Sequence, residues 1–262
     1  MKKNHQRSKA LPPRTDWRQE YLKKFYLDRG QPLDLWLSLV NQYARQGARV
    51  LEIGGGPVEL TTKSLRERAT EIIGLDVDPL VRVNPLLDEA IVYDGGLFPF
   101  ANGRFDLAVS RWVNEHLSNP DLHFKEVHRV LAPGGLYLFR TVNLYHYKML
   151  GAYLLPHGLK VHLVRWLTHT SSDAHDPYPA YYRANTRRRI NRLSTLAGFV
   201  RVRLDVSEEY PGYGMASKAL FILLMGYEKF VNSSRRLEGL RHTIDCVLQK
   251  PALVDVPPSR NG

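Results

Sequence analysis

The chain has 262 residues, with 37 Lys and Arg against 26 Asp and Glu, for a formal net charge of +11. That length buries one sizeable core without demanding a second domain, and a single cysteine, Cys246, excludes an internal disulfide framework. The longest apolar run, Ala219 to Met225, is far short of the roughly 20 residues a spanning helix needs. The amino terminus is charged rather than apolar, so no secretory signal and a cytoplasmic location are expected.

Residues 1–15 carry Lys2, Lys3, Arg7, Lys9 and Arg14 and hold Pro12-Pro13 near their end, which reads as a disordered basic arm. Residues 16–262 read as one domain. Trp17, Tyr21, Phe25 and Tyr26 recur at helical spacing and predict a helix over Asp16 to Asp28, either packed in the core or laid as a lid. A second helix is expected from Pro32 to Gly47, with Leu35, Trp36, Leu39, Val40 and Tyr43 on one stripe. From residue 48 to 143 short apolar strands alternate with helices. The expected strands are Arg49 to Ile53, Glu71 to Leu75, Ala90 to Tyr93, Phe105 to Val109 and Gly135 to Thr141, with helices over Pro57 to Arg68 and after Asn119-Pro120-Asp121. Such alternation implies right-handed crossovers and a parallel sheet, whose ligands bind outside the strands' carboxyl ends.

Val50-Leu51-Glu52-Ile53-Gly54-Gly55-Gly56-Pro57 is a strand that runs into glycines and a proline-started helix. Glycines permit positive φ and close ligand approach, and Pro57 suits a first helical turn. A dinucleotide site places a pyrophosphate at this helix start and a small residue where Glu59 stands. Glu52 and Glu59 at the mouth repel a diphosphate and favour a ligand carrying an ammonium and a sulfonium. Asp76 closes the second strand about twenty residues on, where an acid can accept both ribose hydroxyls.

Glu52-Ile53-Gly54-Gly55-Gly56 resembles the (Asp/Glu)-x-Gly-x-Gly motif of the class I S-adenosylmethionine-dependent methyltransferases. Asp94-Gly95-Gly96-Leu97-Phe98-Pro99-Phe100 resembles the family's Gly-Asp-Ala-x-x-Leu-Pro-Phe segment. Phe105-Asp106-Leu107-Ala108-Val109-Ser110, Glu115-His116-Leu117 and Leu131-Ala132-Pro133-Gly134-Gly135 follow in the family's order. The series covers roughly Ala48 to Asn143 and resembles the type 11-like domain; Val58 stands where many members carry a glycine. The resemblance implies a Rossmann-like α/β fold with a seven-stranded, mostly parallel sheet and an antiparallel last strand inserted between strands five and six. It also implies S-adenosylmethionine as cofactor, held by Glu52, Gly54, Gly55, Gly56, Asp76, Asp94, Gly95 and Ser110, with Asp94 on the adenine amino group.

Beyond strand five the chain departs from a minimal domain. Residues 144–184 are expected to hold a helical insertion, with Leu159, Leu163, Trp166 and Leu167 against Lys160 and Arg165, packed as a lid or lying on a membrane interface. Residues 185–262 are expected to add a basic helix from Asn185 to Gly198, a strand from Phe199 to Leu204, an apolar helix from Ser217 to Val231 and a strand from Thr243 to Gln249. Methyl transfer requires alignment of the two reactants and a base where the acceptor is a hydroxyl. His116 and His146, after strands four and five, are the candidate bases. Arg111, Trp112, Asn143, Tyr145, Tyr181, Tyr182 and Arg183 are the candidate acceptor residues, and the arginine block from Arg183 to Arg192 suits an anionic acceptor. Ser110-Arg111-Trp112-Val113 stands where adenine- and glutamine-directed enzymes carry Asn/Asp-Pro-Pro-Tyr/Phe, which argues against those acceptors. His169, Asp173, His175 and Asp176 offer metal-ligand types, but the reaction needs none and no metal is expected. The leading expectation is O-methylation of a small molecule, glycan or lipid-linked intermediate, with peripheral membrane contact as an option and nucleic acid not expected. An RNA methyltransferase using the basic arm, and a non-catalytic cofactor-binding scaffold, are the alternatives. Oligomeric state is left open.

Overall fold

The computed structural model describes residues 17–26, 32–57, 60–154, 178–208 and 217–252. Among these, the strands β1 (Arg49–Ile53), β2 (Glu71–Asp76), β3 (Glu89–Val92), β4 (Phe105–Arg111), β5 (Leu131–Val142), β6 (Val200–Ser207) and β7 (Thr243–Gln249) form one sheet in the order β3-β2-β1-β4-β5-β7-β6. β1 to β5 pair in parallel, while β7 runs antiparallel to both β5 and β6. The expected insertion of the last strand between the fifth and sixth is therefore observed.

The helices are α1 (Trp17–Tyr26), α2 (Pro32–Tyr43), α3 (Leu60–Arg66), α4 (Pro120–Val130), α5 (Tyr147–Leu154), α6 (Arg187–Ala197) and α7 (Lys218–Asn232). They cover both faces because successive strand side chains point to opposite sides. On one face Leu51, Ile53, Ala108, Tyr137 and Phe139 pack with Phe124 and Val127 of α4 and Ile190 and Leu193 of α6. On the other, Val50, Ile72, Leu107, Val109 and Leu138 pack with Trp36, Leu39 and Val40 of α2 and Leu65 of α3. Burial of each such side chain stabilises by about 1.5–3 kcal/mol.

Several boundaries differ from expectation. α2 stops at Tyr43 rather than Gly47; Gly47, with φ 78°, sits in the turn beyond, and its N–H bonds the Arg68 carbonyl at 2.8 Å. β5 starts at Leu131, through the Pro133-Gly134-Gly135 stretch read as its approach. The Gly134 N–H donates to the Lys250 carbonyl and the Lys250 N–H to the Gly135 carbonyl, both at 2.9 Å, which extends the ladder past those glycines. α1 is fixed at its end by the Tyr26 hydroxyl donating to the buried Glu228 carboxylate of α7. The basic arm, Val58, Glu59, most of the insertion and the His169 to Asp176 cluster lie outside the described residues.

Candidate active site

The carboxyl ends of β1, β2, β3 and β4 meet at a cavity of ≈ 390 Å³, within the range of small-molecule sites. Its near wall is Ile53, Gly54, Leu75, Asp76, Tyr93, Asp94 and Gly95; its far wall is Arg111, Trp112, Val113, His116, Tyr178, Pro179 and Tyr181. This is the switch point where neighbouring crossovers leave β1 in opposite directions, the expected place for a ligand in such a sheet.

The near wall is built by the glycine turn. Gly54 has φ 75°, and its N–H donates to the Leu75 carbonyl at 2.9 Å. A Cβ there would stand 2.3 Å from Val113 Cγ2, so only glycine lets the turn fit beneath the loop after β4. Gly56, with φ 50°, donates its N–H to Asp76 Oδ2 at 3.2 Å, and Asp78 N–H donates to Asp76 Oδ1 at 3.0 Å. An ionised carboxylate has about four acceptor positions, so Asp76 keeps capacity for ribose hydroxyls. Asp94 Oδ1 accepts the Gly96 N–H at 2.8 Å. Tyr93 lies between the two acids; burial and the charges of Asp76 and Asp94 push its phenol up to about 12, so it is neutral. Two carboxylates and an open glycine turn fit S-adenosylmethionine, with Asp76 at the ribose and Asp94 at the adenine as the resemblance implies.

The far wall begins where β4 ends. Trp112 has φ 58°, a left-handed conformation that non-glycine residues adopt at some energetic cost, and its N–H bonds the Arg140 carbonyl at 2.9 Å. A single 3-10 turn over Asn114–His116 then delivers His116 to the wall. Its Nδ1 lies 3.2 Å from the Pro179 carbonyl. A carbonyl accepts only, so Nδ1 carries the proton that it donates there. The Tyr181 and Tyr182 N–H groups both bond the Glu115 carbonyl, at 2.8 and 3.1 Å, while the Glu115 side chain accepts from Thr141 Oγ1 at 2.8 Å. Glu115 thereby fastens the Tyr178 to Tyr182 segment to the sheet.

Other expected residues stand elsewhere. Glu52 is buried beneath the glycine turn, where it accepts from Thr62 Oγ1 at 2.6 Å, and it does not line the cavity. The acids on the cavity wall are Asp76 and Asp94 instead. Gly55 and Gly56 shape the turn without reaching the wall, and the Ser110 hydroxyl is buried 3.0 Å from the Tyr137 hydroxyl. Asn143 donates to the Gly239 and Arg241 carbonyls, both at 2.7 Å, and clamps that loop. Tyr145 is exposed and off the wall. Tyr182 turns toward Tyr153 of α5, with ring centroids 6.2 Å apart. Arg183 donates to the Ser118 carbonyl and lies over the Tyr181 ring, bracing the wall from behind. Arg187 pairs with Glu238, and Arg189 pairs with Asp121 at 2.7 Å, so two arginines of the expected anion-binding block are already neutralised.

His146 is also off the cavity. Its ring is fully buried against Tyr147, Tyr227 and His242. The Lys148 N–H donates to its Nδ1 at 3.3 Å, which places the proton on Nε2, 3.2 Å from Glu208 Oε1. Burial, helped by Lys148, pulls its pKa down to about 3. This neutral ring serves packing at the end of β5. The cavity floor instead holds a histidine that the sequence pattern does not single out. His123 of α4 is 4% exposed, its Nε2 3.1 Å from the Tyr137 hydroxyl, which donates to Asn114 Oδ1 at 3.2 Å. Burial lowers its pKa to about 4. The available signal was a polar residue beside Phe124 on the buried stripe of an amphipathic helix.

A family model described as a methyltransferase domain matches residues 19–200, well over half of the chain. The chain is 34% identical over 107 residues to an uncharacterized methyltransferase of Mycobacterium sp. (strain JLS), over 39% of this chain and 42% of that protein. It is 32% identical over 116 residues to the malonyl-[acyl-carrier protein] O-methyltransferase of Pseudescherichia vulneris, over 43% of this chain and 45% of that protein. The chain thus spans less than half the length of these relatives. Among solved structures, a SAM-dependent methyltransferase from Methanosarcina mazei superposes with a TM-score of 0.55 at 16% identity, covering 82% of this chain and 98% of that one. Geranyl diphosphate methyltransferase in complex with GPP and sinefungin gives 0.55 at 13% identity, covering 83% and 77%; these two likenesses speak for the fold. With the matched domain, the fold and the acid-lined glycine cavity agreeing, the chain belongs to the methyltransferase-domain family.

Proposed function

We propose that the enzyme methylates an oxygen atom of a small molecule, glycan or lipid-linked intermediate, with His116 as the base. The observation that carries this reading is the place of His116. It stands on the far wall of the cavity that holds Gly54 and Asp76 on its near wall, with Nδ1 turned to the Pro179 carbonyl at 3.2 Å, which fixes the ring's orientation at the cavity. The O-methyltransferase of Pseudescherichia vulneris among the relatives supports oxygen as the acceptor atom.

S-adenosylmethionine supplies a methyl group already activated on a sulfonium. The chain's own residues must align the acceptor oxygen with that carbon and exclude water, and alignment alone contributes several kcal/mol. Trp112, Tyr178 and Tyr181 provide apolar surface for the acceptor, and Arg111 provides a cation. His116 would take the proton that the acceptor hydroxyl gives up as its oxygen becomes methylated. Incubation with S-adenosylmethionine and metabolite or lipid extracts, read by mass spectrometry, tests the proposal. A product one methyl group heavier, whose methyl is located on oxygen by its carbon chemical shift, is the expected result; a methyl group on nitrogen or carbon refutes it.

A further inference from the structure

α7 presents an outward stripe that nothing in the catalytic cavity uses. Ile222, Leu223 and Phe230 are 45, 69 and 57% exposed, and they share one face with Ala219 and Gly226. The opposite face is the buried one: Phe221, Glu228 and Val231. Phe221 is held by the Trp17, Tyr21 and Tyr26 rings of α1. A helix with polar residues outside and apolar residues inside is the norm for a water-facing surface; here both faces are apolar. The edge between the stripe and α1 is cationic. Lys218 lies over the Tyr21 ring at 5.0 Å, and Lys24 and Lys229 lie over Phe25 at 5.4 and 5.7 Å. Lys23, Arg235 and Arg236 are exposed nearby in sequence, whereas the acids on these two helices are the exposed Glu20 and the buried, bonded Glu228.

We infer that α7, flanked by α1, is a docking face for an anionic lipid surface. Exposed leucine, isoleucine and phenylalanine reach the acyl boundary, lysines and arginines at the edge meet the headgroups, and aromatic rings lie between, which is how a helix seats in the plane of an interface. Among the described residues no helix is long and apolar enough to cross a membrane, so the contact is peripheral. On the other side Tyr227 of α7 packs on Tyr147 of α5, whose Tyr153 and Leu154 are 58 and 68% exposed. The face is independent of the acceptor proposed above.

The test is partition of the full chain into phosphatidylcholine vesicles with and without phosphatidylglycerol, alongside Leu223→Glu/Phe230→Glu and Lys218→Glu/Lys229→Glu. The wild-type protein is expected to partition into the anionic vesicles and to be released by salt. The first pair should lower partition about tenfold or more and the second should remove its dependence on phosphatidylglycerol. Affinity for S-adenosylhomocysteine should stay unchanged in both, since none of these side chains lines the cavity, and that readout separates failure of this inference from failure of the proposed reaction. Absence of partition, or equal partition by the variants, overturns the inference. So does a self-associated wild-type protein that becomes monomeric with Leu223→Glu/Phe230→Glu, because a second copy would then cover the stripe.

Discussion

Asp76 Oδ2 accepts the Gly56 N–H at 3.2 Å, so the acid that ends β2 is tied to the glycine turn that ends β1. The same carboxylate faces the cavity, and its loss removes both a ligand contact and a brace of the turn. Hydrogen bonds to a charged group contribute about 1.5–3 kcal/mol each. Asp76→Ala is therefore expected to weaken S-adenosylhomocysteine binding by on the order of a hundredfold or more while the far-ultraviolet spectrum stays native. Titration calorimetry gives the answer; an unchanged dissociation constant would place the ribose elsewhere.

Two glycines of the same turn should behave differently on substitution. A Cβ on Gly54 meets Val113 Cγ2 at 2.3 Å, whereas a Cβ on Gly56 meets nothing within 4 Å, though both have positive φ. Gly56→Ala is expected to add only left-handed strain of about 1–2 kcal/mol. Gly54→Ala adds that strain and also displaces Val113, and with it the loop that carries His116. Denaturant midpoints and cofactor titration should rank Gly54→Ala as the more damaging in both; equal effects would show that Val113 yields without consequence.

His116 and His146 offer the sharpest functional contrast. His116→Ala is expected to lower kcat by about 10²–10⁴-fold, the usual worth of a general base, with little change in cofactor affinity. His146→Ala should leave kcat near normal in the folded fraction and lower the melting temperature, because it opens a void among Tyr147, Tyr227 and His242. Steady-state kinetics and thermal melts on the two variants decide it, and a kcat collapse in His146→Ala with an intact fold would reverse the assignment.

Stability should fall on mild acidification for a related reason. Burial lowers the pKa of His123 to about 4 and of His146 to about 3, and holds His242 well below its ordinary value. These rings are neutral when folded, whereas the unfolded chain takes up a proton at each near the ordinary 6.5. Their contribution is thus fully present above about pH 6.5 and is lost as the pH falls through 6.5 toward the folded values, by at most about 1.4 kcal/mol per pH unit for each ring. Melting temperatures taken from about pH 7 down to about pH 5 should drop, and less steeply in His146→Phe; a flat profile would mean that these rings stay wet.

The cofactor half of the site was legible because each of its residues lies at the end of a strand and its role is set locally. Gly54, Asp76 and Asp94 need only their own strand to be placed correctly, and the short buried strands β1 and β7 have the expected bounds. The acceptor half was less so. Asn143, Tyr145 and His146 follow β5, one strand beyond the switch point, and the loop there packs on residues 239–242 rather than on the cavity. No local pattern tells which strand-end loop faces the ligand. The pairing of the α6 arginines was not legible for the same reason: Arg187 and Arg189 find acids 51 and 68 residues away, partners that only the folded chain brings near.

The insertion of β7 has a consequence for how the protein is made. β6 is laid down before β7, the one strand it pairs with among the described residues, and β5 presents an open ladder on the same side until residues 243–249 arrive. During synthesis the parallel half of the sheet can assemble while both edges wait, and such unpaired edges are templates for a neighbouring chain. A ribosome that stalls within α7 therefore releases an aggregation-prone species with a formed glycine turn, rather than a shortened enzyme.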